Sequence, residues 1–239
     1  MNINKHLILL FSVLFFLFAV SVSSGCFRKN ESDVKSVVRN ELDQLKNLDS
    51  ETTQKYIPYT ELFPDATENT DLTDEINETF SLFFRKFNYK ISDVIVGTAN
   101  HSATVSVKLT TIDSKVLARD FKAELLRTQI TESAQAQKGN IKDSSRSLEA
   151  HYLILNHLLN TNDYDTAETD CNIQLVNTGN DKKEKWKIQR TNSLEDDLVG
   201  GLMTYLSDPD ILSPEDTLTV YLDSLTEMNT EEMSSFLGV

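Results

Sequence analysis

Residues 103–110 read Ala103-Thr104-Val105-Ser106-Val107-Lys108-Leu109-Thr110, a strict alternation of apolar and polar side chains. Successive side chains on an extended strand point to opposite faces. The period of two therefore puts Ala103, Val105, Val107 and Leu109 on one face and their polar neighbours on the other. A sheet covered on one face and wet on the other is the antiparallel arrangement. The preceding run, Tyr89 to Val96, is also strand-like, and Gly97-Thr98-Ala99-Asn100-His101-Ser102 supplies turn residues, so the two runs predict a hairpin.

On both sides of this hairpin the period changes to that of a helix. Towards the N-terminus, Val34, Val38, Leu42, Leu45 and Leu48 predict an amphipathic helix over 32–47. A short second helix is expected from Ser50 to Tyr59, then a polar loop over 65–74. A third helix, about 73–88, carries Ile76, Phe80, Phe83, Phe84 and Phe87, a bulky face that must be buried. Towards the C-terminus, Leu117, Phe121 and Leu125 begin a helix running to Gln137, and Leu148, Tyr152, Leu155 and Leu159 form another after a polar connector at 138–147. Thr169–Val176 and Glu184–Arg190 read as a second hairpin around Asn177-Thr178-Gly179-Asn180-Asp181, with Trp186 and Ile188 on one face. Ser193 is the expected cap of a helix through Leu194, Leu198, Leu202 and Leu206, ended by Asp208-Pro209, with Gly200-Gly201 inside it permitting close packing.

The chain begins with a different kind of segment. After one lysine, Lys5, residues 7–22 are apolar except for Ser12 and Ser21, too short a run for a spanning helix of about 20 apolar residues. Ser23-Ser24-Gly25-Cys26 then leads small residues directly into a cysteine. This resembles the bacterial lipobox, with Ser23 standing where that motif usually has leucine. The resemblance implies a signal peptide over 1–25, cleavage before Cys26, and fatty acyl chains on the Cys26 thiol. Residues 26–32 would be the lipidated tether, and the protein would sit on the extracytoplasmic face of the cell membrane. A diacylglyceryl group gives stable attachment where a single acyl chain does not.

Without residues 1–25 the chain has 22 basic and 37 acidic side chains, a net charge of −15. Such a surface repels phosphate backbones, so no nucleic-acid partner is expected. Gly and Pro number only 7 and 4, which excludes a collagenous or low-complexity stalk. With Cys26 committed to lipid, Cys171 is the one cysteine left and no intrachain disulfide can form. Cys171 alternates with Ile173 and Leu175, the pattern of a small buried apolar residue rather than a reactive thiol.

Three helices, a hairpin, two helices, a hairpin and a helix form an α+β chain with antiparallel pairing. That order, with Trp186 in the last strand, looks like the nuclear-transport-factor-two-like (cystatin-like) superfamily over about Asp33 to Tyr205. The resemblance implies N-terminal helices packed on a curved antiparallel sheet that forms a cone, here the domain 33–207. Gram-positive bacterial lipoproteins of unassigned activity include such domains. Some superfamily members are isomerases or dehydratases with an Asp or His base inside the cone, which would make Asp120, His151 and Tyr152 the residues to examine.

Residues 208–239 read as a helical extension. Ser213-Pro214-Glu215-Asp216 is a helix start, with a capping serine, proline at the first position and acids for the dipole. With an offset of 180, Val34–Ile57 aligns with Pro214–Leu237 without a gap, and Leu42, Asp43, Leu45 and Glu51 match Leu222, Asp223, Leu225 and Glu231. The tail thus reads as a partial repeat of 33–58 or as a simple extension. Its stripe of Leu218, Leu222, Leu225 and Met228 must be buried somewhere, and Asp208-Pro209-Asp210 suggests loose attachment to the main domain.

Signatures of catalysis and metal binding are absent from the sequence. His151 and His157 lie six apart, not at the three or four that places two ligands on one helix face, and no HExxH or paired CxxC occurs. Asn162-Asp163-Tyr164-Asp165 lacks the glycine and distal glutamate of a calcium loop. No GxSxG, GxxxxGK[ST] or GxGxxG is present. The expected role is therefore a tethered, non-catalytic module binding a small ligand or another envelope protein, without cofactor or metal. An enzyme using the cone, and a purely structural envelope component acting as a homodimer, are the competing expectations.

Overall fold

The computed structural model describes residues 30–57, 59, 61–64, 66, 73–97, 101–136, 147–179, 185–228, 233–234 and 236. The expected signal peptide 1–25, Cys26, most of the loop 65–74, the turn tip 98–100, the connector 138–146 and the hairpin tip 180–184 lie outside them. Eight helices and four strands occur among the described residues. They are α1 (30–46), α2 (Ser50–Tyr56), α3 (Thr73–Phe84), β1 (Asn88–Val96), β2 (Ser102–Ile112), α4 (Ser114–Ala136), α5 (Leu148–Thr161), β3 (Thr166–Asn177), β4 (Trp186–Ile188), α6 (Asn192–Leu198), α7 (Leu202–Ser207) and α8 (Pro214–Glu227). No helix of the described residues is long and apolar enough to cross a membrane.

The chain is α+β, with an open antiparallel sheet in the order β1-β2-β3-β4. The alternation in β2 governs its burial. Ala103, Val105, Val107 and Leu109 are buried, as are Cys171, Ile173 and Leu175 at alternate positions of β3. Each Val, Leu or Ile among them removed from water contributes about 1.5–3 kcal/mol. On the opposite face polar side chains pair across β2 and β3: Thr104 donates to Gln174 Oε1 (3.0 Å), Ser106 to Asn172 Oδ1 (2.9 Å) and Lys108 to Glu168 Oε2 (3.0 Å). That face satisfies its own polar groups. At the last pairing Leu175 faces Ile188, Val176 faces Lys187 and Asn177 faces Trp186. The Asn177 carboxamide oxygen accepts from the backbone N–H of Gly179 (2.9 Å) and of Lys185 (3.1 Å), closing the hairpin from within.

Grouped by compactness, residues 1–41, 91–107 and 172–189 form one unit and residues 42–90, 108–171 and 190–239 a second. The buried apolar residues of the first include Val34, Val38, Val105, Ile173, Leu175 and Trp186. In the second, α4 packs against α5, α7 and α8, and α3 packs against α5. Phe83, Phe84 and Phe87 of this unit lie edge to face at 5.3 and 5.4 Å between ring centroids, an arrangement favoured by the ring quadrupoles.

Four details differ from the sequence expectation. The first helix starts at residue 30, so residues 30–32, expected in the tether, belong to it. The helix expected from Ser193 to Leu206 is two helices, α6 and α7. Gly200 and Gly201 adopt φ of +62° and +81°, the left-handed region, and so end α6 instead of packing inside one helix. The cap of α6 is Thr191, whose hydroxyl accepts from the backbone N–H of Leu194 at 3.2 Å, and Ser193 lies in its first turn. The fourth difference is the tail. The capping box of α8 is as expected, Ser213 Oγ accepting from the Asp216 N–H at 3.0 Å. The helix is docked on α4 through Val220 and Ser224, however, while Leu218 and Leu222 are 57% and 50% exposed. Ser224 is small enough to let α8 approach, and its hydroxyl is satisfied by the Val220 carbonyl at 2.7 Å.

Candidate functional site

Within the second unit, α4 presents Phe121, Leu125 and Gln129 four residues apart, which aligns them along one side of the helix. The chain at Leu62 and Phe63 lies over that side, α5 contributes His151, and Met203 and Leu206 of α7 form the far wall. Between them is a groove of about 1110 Å³. Its floor is aromatic. The Phe63 ring stacks on Phe121 at 5.2 Å and lies 4.9 Å from the His151 ring, which meets Phe121 edge to face at 5.6 Å. Lys122, partly buried, stands beside Phe121 and lines the same groove.

The groove's wall is held by a carboxylate. Asp196 Oδ1 accepts from the backbone N–H groups of Met203 (2.9 Å) and Thr204 (3.2 Å), and Oδ2 accepts from the Thr204 hydroxyl. Free N–H groups at the start of α7 are thereby satisfied across the glycine break, since the capping position itself is Gly201 and supplies no side chain. Just before it, the buried carboxylate of Glu195 pairs with Arg190.

Of the three residues singled out by the resemblance, only His151 lines this groove. Tyr152 is buried and its hydroxyl donates to the Tyr59 carbonyl at 2.9 Å; burial first, then Tyr59, pushes its phenol far above the usual tyrosine range. Asp120 Oδ2 accepts from the Tyr164 hydroxyl at 3.1 Å. Neither Asp120 nor Tyr152 lines the groove, although each is next in sequence to a residue that does.

The acidic turn after α5 is a clasp. Lys86 Nζ meets the Asp163 carboxylate and the Tyr164 carbonyl, both at 2.6 Å. Hydrogen bonding to Lys86 and its charge hold the Asp163 carboxyl below the usual range. Tyr164 donates to Asp120, accepts from Asn162, and has its phenol pushed up to about 12, chiefly by burial. Cys171 is buried, and burial together with Asp197 pushes its thiol well above the usual range, so it is not a nucleophile at neutral pH. His157 is exposed on α5. Among the described residues no cluster of three His, Cys, Asp or Glu side chains could hold a metal ion.

Tyr164 gives a pH-dependent expectation. Its folded-state value lies above the ordinary tyrosine value of about 10, so its contribution is intact below pH 10 and is lost as the pH rises towards 12. The stability difference between wild type and Tyr164→Phe should narrow over that interval, read as unfolding midpoints at successive pH values. A difference constant from pH 9 to 11.5 would contradict the assignment.

No protein-family model, curated protein or solved structure matches the chain.

Proposed function

We propose that the protein is a non-catalytic binding module, held by acylated Cys26 on the extracytoplasmic face of a cell membrane. Its α+β domain would be of the cystatin-like cone type, with a small ligand or an envelope protein as its occupant. The observation that carries the binding reading is the groove over Phe63, Phe121 and His151. It combines an aromatic floor with a largely polar rim that includes Glu61, Lys122, Gln129, Asn192 and Asp196, so an occupant would be a ligand with both an apolar part and polar groups. A general acid–base mechanism needs a second group within hydrogen-bond reach of the reacting atoms. Asp120 and Tyr152, the partners for His151 that the cystatin-like resemblance offers, are bonded outside the groove, and Asp196, which does line it, is engaged by the start of α7; both favour binding over isomerase or dehydratase chemistry. The tether rests on the apolar run 7–22, the small residues before Cys26 and the acidic remainder of the chain.

The two parts of the proposal have separate tests. Fatty-acid labelling in the producing cells should mark the wild-type chain and leave Cys26→Ser unmarked, with the variant released from the membrane fraction or unprocessed. Equal labelling of both removes the anchor. For the groove, an anilinonaphthalene sulfonate dye, aromatic and anionic, should bind the full chain saturably at one site. Lys122→Glu and Met203→Asp, both at partly exposed positions, should each weaken it at least fivefold. Identical dye titrations for wild type and both variants would remove the groove as a ligand site.

A further inference from the structure

A second surface of the same unit lies along the neighbouring face of α4 and shares no lining residue with the groove over Phe63. Leu126 and Ile130 of α4, Leu212 of the turn before α8, and Pro214, Leu218 and Tyr221 of α8 line an open apolar cavity of about 840 Å³. Leu218 is 57% exposed, and Leu222, one turn further along α8, is 50% exposed. They are not the residues that dock α8, since Val220 and Ser224 face inward. At about 100° per residue, Leu218, Leu222 and Leu225 fall within one narrow arc, and Glu215, Asp216, Asp223 and Glu227 occupy the arc next to it. The offset of 180 that aligns α8 with α1 matches Leu218 to Val38, Leu222 to Leu42 and Leu225 to Leu45. In α1 all three of those positions are buried. The outward stripe of α8 thus has the pattern of a stripe that is covered elsewhere in the same chain.

Charge decides what could cover it. From Thr191 to Val239 the chain holds 11 Asp and Glu and not one Lys, Arg or His. A second copy would bring an equally acidic stretch against this one, and an anionic membrane surface would be repelled in the same way. A partner with complementary charge gains both terms at once. We infer that the α4–α8 surface docks a cationic amphipathic helix of another protein, its apolar stripe in the Leu126–Tyr221 groove and on Leu218 and Leu222, its Lys or Arg arc beside Glu215 and Asp223. This is the helix-in-groove mode of recognition, with electrostatic attraction setting the encounter rate and orientation.

The test uses the purified full chain in mild detergent, with detergent alone as the blank. A fluorescently labelled 18-residue helix with a leucine stripe and lysines elsewhere is titrated by anisotropy. Saturable binding is expected, weakened at least fivefold in Leu218→Ala/Leu222→Ala, whose positions are too exposed for the change to unfold the protein. Glu215→Gln/Asp223→Asn should also weaken it and flatten its dependence on salt. The same peptide with glutamate for lysine should not bind. Equal affinity for wild type and the leucine variant, or equal binding of the glutamate peptide, would overturn the inference. So would a concentration-dependent dimer of the wild type that the leucine variant abolishes, because the occupant would then be a second copy. Loss of dye binding at the Phe63 groove with peptide binding intact would leave this inference standing.

Discussion

Replacing Trp186 by alanine should lower the unfolding free energy by about 3–5 kcal/mol, the range for large aromatic residues cut out of a core. Trp186 is 7% exposed and is the first residue of β4, opposite Asn177. That strand is only three residues long and is an edge of the sheet, so few other side chains fix it. Truncation would remove the main apolar anchor of the hairpin along with its transfer free energy. The effect is measured by denaturant unfolding, and there is an internal check. Trp186 is the only tryptophan in the chain, so native fluorescence reports its surroundings alone. The native emission should be blue-shifted from that of the denatured chain. Coincident native and denatured maxima would place the indole in water and remove the basis for the stability loss.

The second large loss is expected from Gly200→Ala. A Cβ at residue 200 would lie 2.3 Å from Thr111 Oγ1 and 2.9 Å from Ser114 Oγ. Both hydroxyls are buried, and Ser114 donates to the Val199 carbonyl at 2.7 Å, so neither can turn away without breaking local bonds. The residue also has φ of +62°, where an L side chain costs about 1–2 kcal/mol, and forcing a methyl into filled space adds about 1–3 kcal/mol. A total of about 2–5 kcal/mol follows from the two together. Gly201→Ala is the comparison. Its φ of +81° carries the same kind of strain, but its nearest obstacle is a Tyr205 ring carbon at 3.1 Å, so its loss should be smaller. Adding Thr111→Ala to Gly200→Ala should restore part of the stability by emptying the space the methyl enters. Equal losses at the two glycines would show that conformation alone, without crowding, sets the cost.

That junction also shows what the sequence carries and what it does not. The alternation in 103–109 placed Ala103, Val105, Val107 and Leu109 on the buried face of β2, because a covered sheet face imposes a local period, while the buried Thr111 and Ile112 at the strand's end carry no such signal. The break in the late helix left a quieter trace. Leu194, Leu198, Leu202 and Leu206 are spaced by four, and at 3.6 residues per turn each step drifts by about 40°, so a straight helix cannot keep all four on one face. The two glycines where the drift would accumulate are where the chain turns. In α8 the sequence marks the stripe of Leu218, Leu222, Leu225 and Met228 for burial without saying against what, whereas the residues buried as the helix packs on α4 are Val220 and the small Ser224, which allow closer approach. The groove was the least legible part. Phe63, Phe121, His151 and Met203 come from four separated stretches, and nothing local to any of them signals that they meet. Asp120 and Tyr152, next to true lining residues in sequence, face other partners.

The grouping of the chain into two units bears on the order in which the molecule can form. Each unit is assembled from three separate stretches, and the final stretch begins at residue 172 in one and at residue 190 in the other. A chain that emerges N-terminus first therefore completes neither unit until more than two thirds of its length has appeared. Closing such distant contacts costs loop entropy before it returns burial, the pattern of slow folders. During that interval the face of β2 that carries Val105, Val107 and Leu109 lacks β3, its later neighbour in the sheet. Acidic residues, present in large excess along the chain, keep such half-made molecules apart by repulsion, so that time spent waiting is not spent aggregating.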